Sequence, residues 1–89
     1  SALMAAYKQG LRQHATIRYS QDLVNNLFRH PYTRVEFLQK DLDVTRQTAA
    51  KYLDQLAVAG FVEKHQAGRN NYYINRPLVD LLMQVSDGG

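Results

Sequence analysis

Cysteine is absent from the 89 residues. That removes disulfides, thiolate nucleophiles and cysteine metal sites, and it fits a reducing, cytoplasmic setting. Tryptophan is absent too, and only two prolines interrupt the chain. No apolar run approaches the ~18 residues of a membrane span, so no membrane partner is expected. No charged-then-apolar leader marks a secretory signal. Position 1 is Ser rather than Met, as expected of a fragment or a processed chain. The only soft metal ligands are His14, His30 and His65. They lie far apart without i, i+4 spacing, so neither a metal nor another cofactor is expected. No local Ser-His-Asp set suggests a nucleophile. No catalytic residue is therefore assigned, and this chain alone is not expected to be an enzyme.

What remains is a soluble globular composition, 45% apolar and 21% charged, of a length suited to one small domain. The net charge of +3 is unevenly spread. Residues 1–32 hold Lys8, Arg12, Arg18 and Arg29 against Asp22 alone. From residue 33 onward cations and carboxylates balance. The basic excess thus lies in the N-terminal third, which bears on any nucleic-acid partner.

Leu3, Met4, Tyr7 and Leu11 form one stripe, which predicts a helix over 3–14. Gly10 inside it costs roughly 1 kcal/mol against Ala, so this helix needs something to pack on: a second copy, or the last helix. Residues 15–19 read as a connector. Ser20 caps a second helix to residue 29, ended by Pro31. Thr33 and Glu36 have capping-box spacing for a third helix over 34–41, with Tyr32 and Phe37 as its staple. Asp43 suits a left-handed turn, and the acids Asp41 and Asp43 beside that turn are expected to be solvated. Thr45 caps a fourth helix over 46–59, and Gly60 terminates it. The period then changes. Residues 61–66 and 71–75 read as strands around a turn at 67–70, with Tyr72 and Ile74 on one face. Pro77 opens a last helix to about residue 85, striped by Leu78, Leu81, Leu82 and Val85, with 86–89 fraying. Leu27, Phe28, Leu38, Leu42, Leu53, Leu56, Val62 and Ile74 are the expected core.

Helix, helix, tight turn, helix and hairpin is the order of a winged helix-turn-helix, mainly α with a small β-hairpin. The run Leu27-Phe28-Arg29-His30-Pro31-Tyr32-Thr33-Arg34-Val35-Glu36-Phe37-Leu38 carries a resemblance, as do Thr45-Arg46-Gln47-Thr48-Ala49-Ala50-Lys51-Tyr52-Leu53, Gly60-Phe61-Val62, Gly68-Arg69 and Tyr73-Ile74-Asn75. Together they resemble the C-terminal winged-helix domain of bacterial Fic-family proteins over about residues 16–85. One departure is Asp43, where such turns usually have Gly. The resemblance implies a helical Fic catalytic domain in the same polypeptide, transferring AMP from ATP to protein hydroxyls. His30-Pro31 matches only the first dipeptide of the Fic signature, and no glycine-rich phosphate loop follows. The resemblance also implies a boundary: residues 1–15 as a helix linking from a preceding domain, and 16–86 as the winged-helix domain.

The expected DNA-binding residues are Thr45, Arg46, Gln47, Thr48 and Lys51 on the fourth helix and Lys64, Arg69 and Asn70 in the hairpin. Arg reads guanine and Gln adenine through bidentate bonds. The plainer reading is a solvated helix face, on which Asp54 repels phosphate. Tyr72 or Tyr73 is expected to pack on the helices rather than stack on a base. Two functions stay open. One is a DNA-binding or regulatory domain; the other is a protein-interaction or oligomerisation module that binds no DNA and packs on the Fic core, a target or a second copy as a homodimer. Either way Leu53 belongs in the core. Leu53→Ala is expected to cost about 2–5 kcal/mol, read as a shift in the denaturant midpoint.

Overall fold

A computed structural model describes residues 2–14 and 16–88, with side chains described to residue 84. Ser1, Ala15 and Gly89 lie outside the described residues, and so does the first position of the expected connector. The elements are α1 (Ala2–Gln13), α2 (Gln21–Arg29), β1 (Tyr32–Thr33), α3 (Val35–Leu42), α4 (Arg46–Val58), β2 (Glu63–Ala67), β3 (Asn70–Ile74) and α5 (Arg76–Gly88). This is a winged helix, mainly α with a small antiparallel sheet.

Local chemistry sets most of the boundaries. The Ser20 hydroxyl accepts the Leu23 N–H at 3.1 Å, and Thr45 accepts the Thr48 N–H at 3.2 Å. Asp43 sits at φ 53°, ψ 52°, closing the helix-turn-helix with the Val44 N–H on the Gln39 carbonyl. Gly60, at φ +87°, ends α4. The Phe61 N–H reaches back to the Leu56 carbonyl and the Gly60 N–H to that of Ala57, the paired bonds of a Schellman cap. At the hairpin tip Gly68 has φ +62°, and Ala67 pairs with Asn70 across a two-residue loop. Glycine at the first loop position is what a II′ turn requires.

The strand order is β1-β3-β2, so the expected hairpin is a three-stranded sheet. β1 contributes only Tyr32 and Thr33, paired with Ile74 and Tyr73. This corrects the capping-box reading. Thr33 is a fully buried strand residue whose hydroxyl donates to Asn26 Oδ1 at 2.9 Å. The cap position of α3 falls to Arg34, which makes no side-chain cap bond. Tyr32 stands 55% exposed rather than stapling Phe37, because pairing with Ile74 fixes it on the sheet; Phe37 lies against His30 instead.

The main core joins Tyr7, Leu11, Leu23, Leu27, Leu38, Leu53, Leu56, Val62 and Tyr73. Tyr73, not the Tyr72–Ile74 pair, faces this cluster; Ile74 is buried outside it, and Tyr72 is half-buried. Phe28 and Leu42 are partly buried rather than central. Of the α5 stripe, Leu78 is buried while Leu81 and Leu82 are exposed, and the helix continues to Gly88. The Val85 side chain lies outside the described residues.

α1 does not run along α5. It lies on α2 and on Phe61, whose ring explains Gly10: a Cβ there would stand 3.1 Å from Phe61 Cε1. Tyr7 meets Phe28 and Phe61 edge-on. Its hydroxyl proton lies between two acceptors, the Phe61 carbonyl at 2.8 Å and Asn75 Oδ1 at 2.9 Å. Asn75 Nδ2 donates to the Leu27 carbonyl at 3.0 Å, its N–H donates to that of Pro31, and its Oδ1 accepts the Leu78 N–H at the start of α5. A second polar group links α2 to α3: Asn26 Nδ2 donates to Asp41 Oδ2 at 2.9 Å, with Arg29 3.5 Å from the same carboxylate. Asp41, expected to be solvated, is therefore held by Asn26 and Arg29 from across the α2–α3 contact, with His30 3.8 Å away.

Burial pushes the Tyr7 hydroxyl up to about 12. A raised folded-state value stabilises the fold fully below the unfolded value near 10 and is lost as pH rises toward 12. Tyr7→Phe is expected to cost about 1–2 kcal/mol at neutral pH, since the Phe61 carbonyl loses its partner. The variant should also lose less stability than the parent between pH 10 and 12, measured by urea midpoints across that range.

Candidate nucleic-acid interface

The helix-turn-helix projects the polar side of α4 outward, with Arg46, Gln47, Lys51 and Asp54 exposed and Ala49, Leu53 and Leu56 turned inward. Thr45 is committed to the helix start. Its hydroxyl accepts the Thr48 N–H and donates to the Thr48 hydroxyl at 3.0 Å. Both threonines therefore shape the turn, and their hydroxyls are engaged with each other.

The expected cations divide into paired and unpaired. Arg46 Nη1 donates to Glu36 Oε1 at 3.1 Å. Lys64 Nζ donates to Asp54 Oδ1 at 2.9 Å, and the Tyr73 hydroxyl donates to the same oxygen at 2.8 Å. Burial raises the Asp54 carboxyl, but the bonds from Lys64 and Tyr73 and the Lys64 charge outweigh it and hold it below the ordinary aspartate value. The bond to Asp54 in turn raises Lys64. The carboxylate expected to repel phosphate is thus covered by a cation from the wing, the hairpin of β2 and β3. Gln47, Lys51 and Arg69 make no side-chain hydrogen bond or ion pair among the described residues.

Three distant segments meet at the start of α4. Arg34, Val35 and Glu36 at the head of α3, Arg46 on α4, and Arg69, Asn70 and Asn71 of the wing line one cleft of about 50 Å³. Asn70 Oδ1 accepts from Arg34 Nη2 at 3.2 Å, and the Arg34 guanidinium lies 5.3 Å over the Tyr72 ring. Arg34 Nε stands 3.2 Å from Glu36 Oε2 as an ion pair. The angle is not that of a hydrogen bond, and among the described residues this is the one buried side-chain nitrogen or oxygen without one. Glu36 also takes its own backbone N–H. That bond, opposed by some burial and joined by Arg46 and the Arg34 charge, holds its carboxyl below the ordinary glutamate value.

The structure therefore gathers Arg46, Arg69 and Asn70 into one cleft. Lys51 stands apart, in an open groove with His14, Thr16, Asp54, Gln55 and Val58. Sequence reasoning missed Arg34. Arg34 lies in a helix-start sequence, and only the pairing of β1 with β3 brings it beside Asn70 and Tyr72. The N-terminal cations are partly engaged elsewhere: Arg12 lies over the Tyr19 ring at 4.7 Å, and Arg29 pairs with Asp41. The three histidines are spread likewise: His14 contacts the Thr16 hydroxyl, His30 lies 3.8 Å from Asp41, and His65 lies 3.1 Å from Glu63. Among the described residues no three His, Asp or Glu side chains gather as metal ligands, and no helix is long and apolar enough to cross a membrane.

The family model for the C-terminal domain of SoFic-like protein adenylyltransferases matches residues 3–78. The match takes in α1 as well as the helix-turn-helix and the whole sheet. With the winged-helix architecture already in place, and most of the chain covered, the protein belongs to the SoFic-like family of protein adenylyltransferase C-terminal domains.

Proposed function

We propose that this domain is a regulatory winged helix that contacts double-stranded DNA through α4 and the wing, within a Fic-type protein adenylyltransferase. The observation that carries the reading is the grouping of Arg34, Arg46, Lys51, Lys64 and Arg69 on the α4 and wing side, where Glu36 pairs with Arg34 and Arg46, Asp54 pairs with Lys64, and Lys51 and Arg69 are left without a carboxylate among the described residues. The sequence balance of charge from residue 33 onward does not show which charges meet: Asp41 is drawn to α2, and Glu63, on β2 itself, is shared by His65 and Arg76. In this reading Arg46 and Gln47 reach base edges, Lys51, Lys64, Arg69 and Asn70 meet the backbone, and Thr45 and Thr48 hold the turn. AMP transfer belongs to a Fic catalytic domain of the same polypeptide. This domain supplies no catalytic group, metal or cofactor, and it works in the cytoplasm.

A second reading rests on a different observation. Tyr32, Leu81, Leu82 and Met83 are exposed, and Pro31, Tyr32, Val79, Leu82 and Met83 line an open groove of about 240 Å³. An apolar surface of that kind suits packing against the catalytic domain or a second copy, with no DNA involved.

Salt separates the two readings. Three phosphate contacts give a slope of log K on log salt near −2.7, since each releases condensed counterions. Fluorescence anisotropy with a mixed-sequence duplex should show that slope. Lys51→Ala and Arg69→Ala should each make it shallower by about 0.9, while Arg46→Ala relaxes sequence preference. Absence of binding at high micromolar protein, for monomer and dimer alike, removes the DNA reading and leaves the apolar surface as the functional one.

A further inference from the structure

Glu36 is the only carboxylate in a cleft lined by three arginines. Its two oxygens are held by groups that bind phosphate elsewhere: a guanidinium N–H from Arg46 and the Arg34 guanidinium. We infer that the cleft is a phosphate site whose occupant in the free protein is the Glu36 side chain, and that a phosphate group binds there by displacing it. The inference rests on the DNA reading and deepens it: Arg34 and Arg69 take the backbone phosphate, and Arg46, released from Glu36, is free to reach a base edge.

Three observations carry it. The carboxylate does not satisfy its donors: Arg34 Nε is buried beside it without a hydrogen bond, and Arg69, which also lines the cleft, has no ion pair among the described residues. A flat group with two oxygens serves fewer directions than a tetrahedral one, and paired N–H groups of a guanidinium match phosphate oxygens well. Departure of the carboxylate is inexpensive. Glu36 is 46% exposed, and exposed ion pairs hold weakly. Arg34 is also preset by its bond to Asn70 and by the Tyr72 ring, so little side-chain order is lost when a ligand arrives.

The test uses inorganic phosphate first. Arginine Nε–H signals of the 15N-labelled protein are followed by NMR during phosphate titration of the parent, Glu36→Gln, Glu36→Ala and Asp54→Asn. Both Glu36 variants should bind phosphate about tenfold more tightly than the parent, as expected when a like charge leaves the site. The Arg34 and Arg46 signals should move together, and adding Arg34→Gln should abolish the gain. Asp54→Asn removes an equal charge from the same face outside the cleft and should leave phosphate affinity there within about twofold. Equal phosphate affinity in the parent and both Glu36 variants overturns the inference. So does an equal gain from Asp54→Asn, which would mean that general charge alone is at work.

A duplex titration of the same proteins then identifies the source of the phosphate. If it is the DNA backbone, Glu36→Gln also binds duplex about tenfold more tightly. A gain for phosphate with no duplex binding by any variant upholds the site but removes the DNA reading. Duplex binding by the parent with no gain of either kind in Glu36→Gln keeps the DNA reading and overturns the site.

Discussion

The side chain of Asn75 holds the two ends of this domain together. It accepts from the Tyr7 hydroxyl on α1 and from the Leu78 N–H on α5, and it donates to the Leu27 carbonyl on α2. Its own backbone N–H bonds the Pro31 carbonyl, just before β1. An asparagine sealed from water is costly when unsatisfied. Here the amide reaches partners on three helices, and its backbone reaches the loop before the sheet. Apolar packing supplies the bulk of the stability, but it is non-directional. Asn75 fixes which helix ends meet which end of the sheet, and so where the wing stands relative to α4.

Much of the fold was legible because its signals are local. Ser20, Thr45, Asp43 and Gly60 each act on neighbours three to five residues away. Their spacing in sequence is their spacing in space. β1 was not legible. Two residues give no period, and what makes them a strand is β3, some forty positions later. The same distance hid Thr33. Its capping-box spacing is genuine, yet the hydroxyl bonds to Asn26, because tertiary burial outweighs a local cap that a surface helix would use. Tyr72 and Tyr73 look alike in sequence. Only the register against Lys64 and Thr33 turns Tyr73 to the helices and Tyr72 to Arg34.

The candidate site was legible by residue type but not by state. The basic residues of α4 and the wing could be named in advance, whereas their ion pairs could not. Arg46 with Glu36 crosses from α4 to α3, and Lys64 with Asp54 crosses from the wing to α4. Both pairs depend on the helix-turn-helix angle and on where the wing lands. A formal count by segment gives neutrality, while the fold decides which of these charges are paired and which, like Lys51 and Arg69 among the described residues, are not. Asp41 illustrates this best. It is a turn acid by sequence, and the fold withdraws it from the wing side by tying it to Asn26 and Arg29.

The bond between Tyr7 and Asn75 spans 68 positions, and that span governs the order in which the chain can become native. α2, α3 and α4 are neighbours in sequence, and contacts of that range form early and fast. α1 is made first, yet two of its anchors, Phe61 and Asn75, are made late. During synthesis its apolar stripe must wait, dissolved or loosely collapsed on α2, until β3 has emerged. The extra loop length adds little to the final cost, which grows only as the logarithm of the span. It does add a delay in which Tyr7 and Leu11 stand uncovered, and in that interval the nascent chain is most open to a chaperone or to a wrong neighbour.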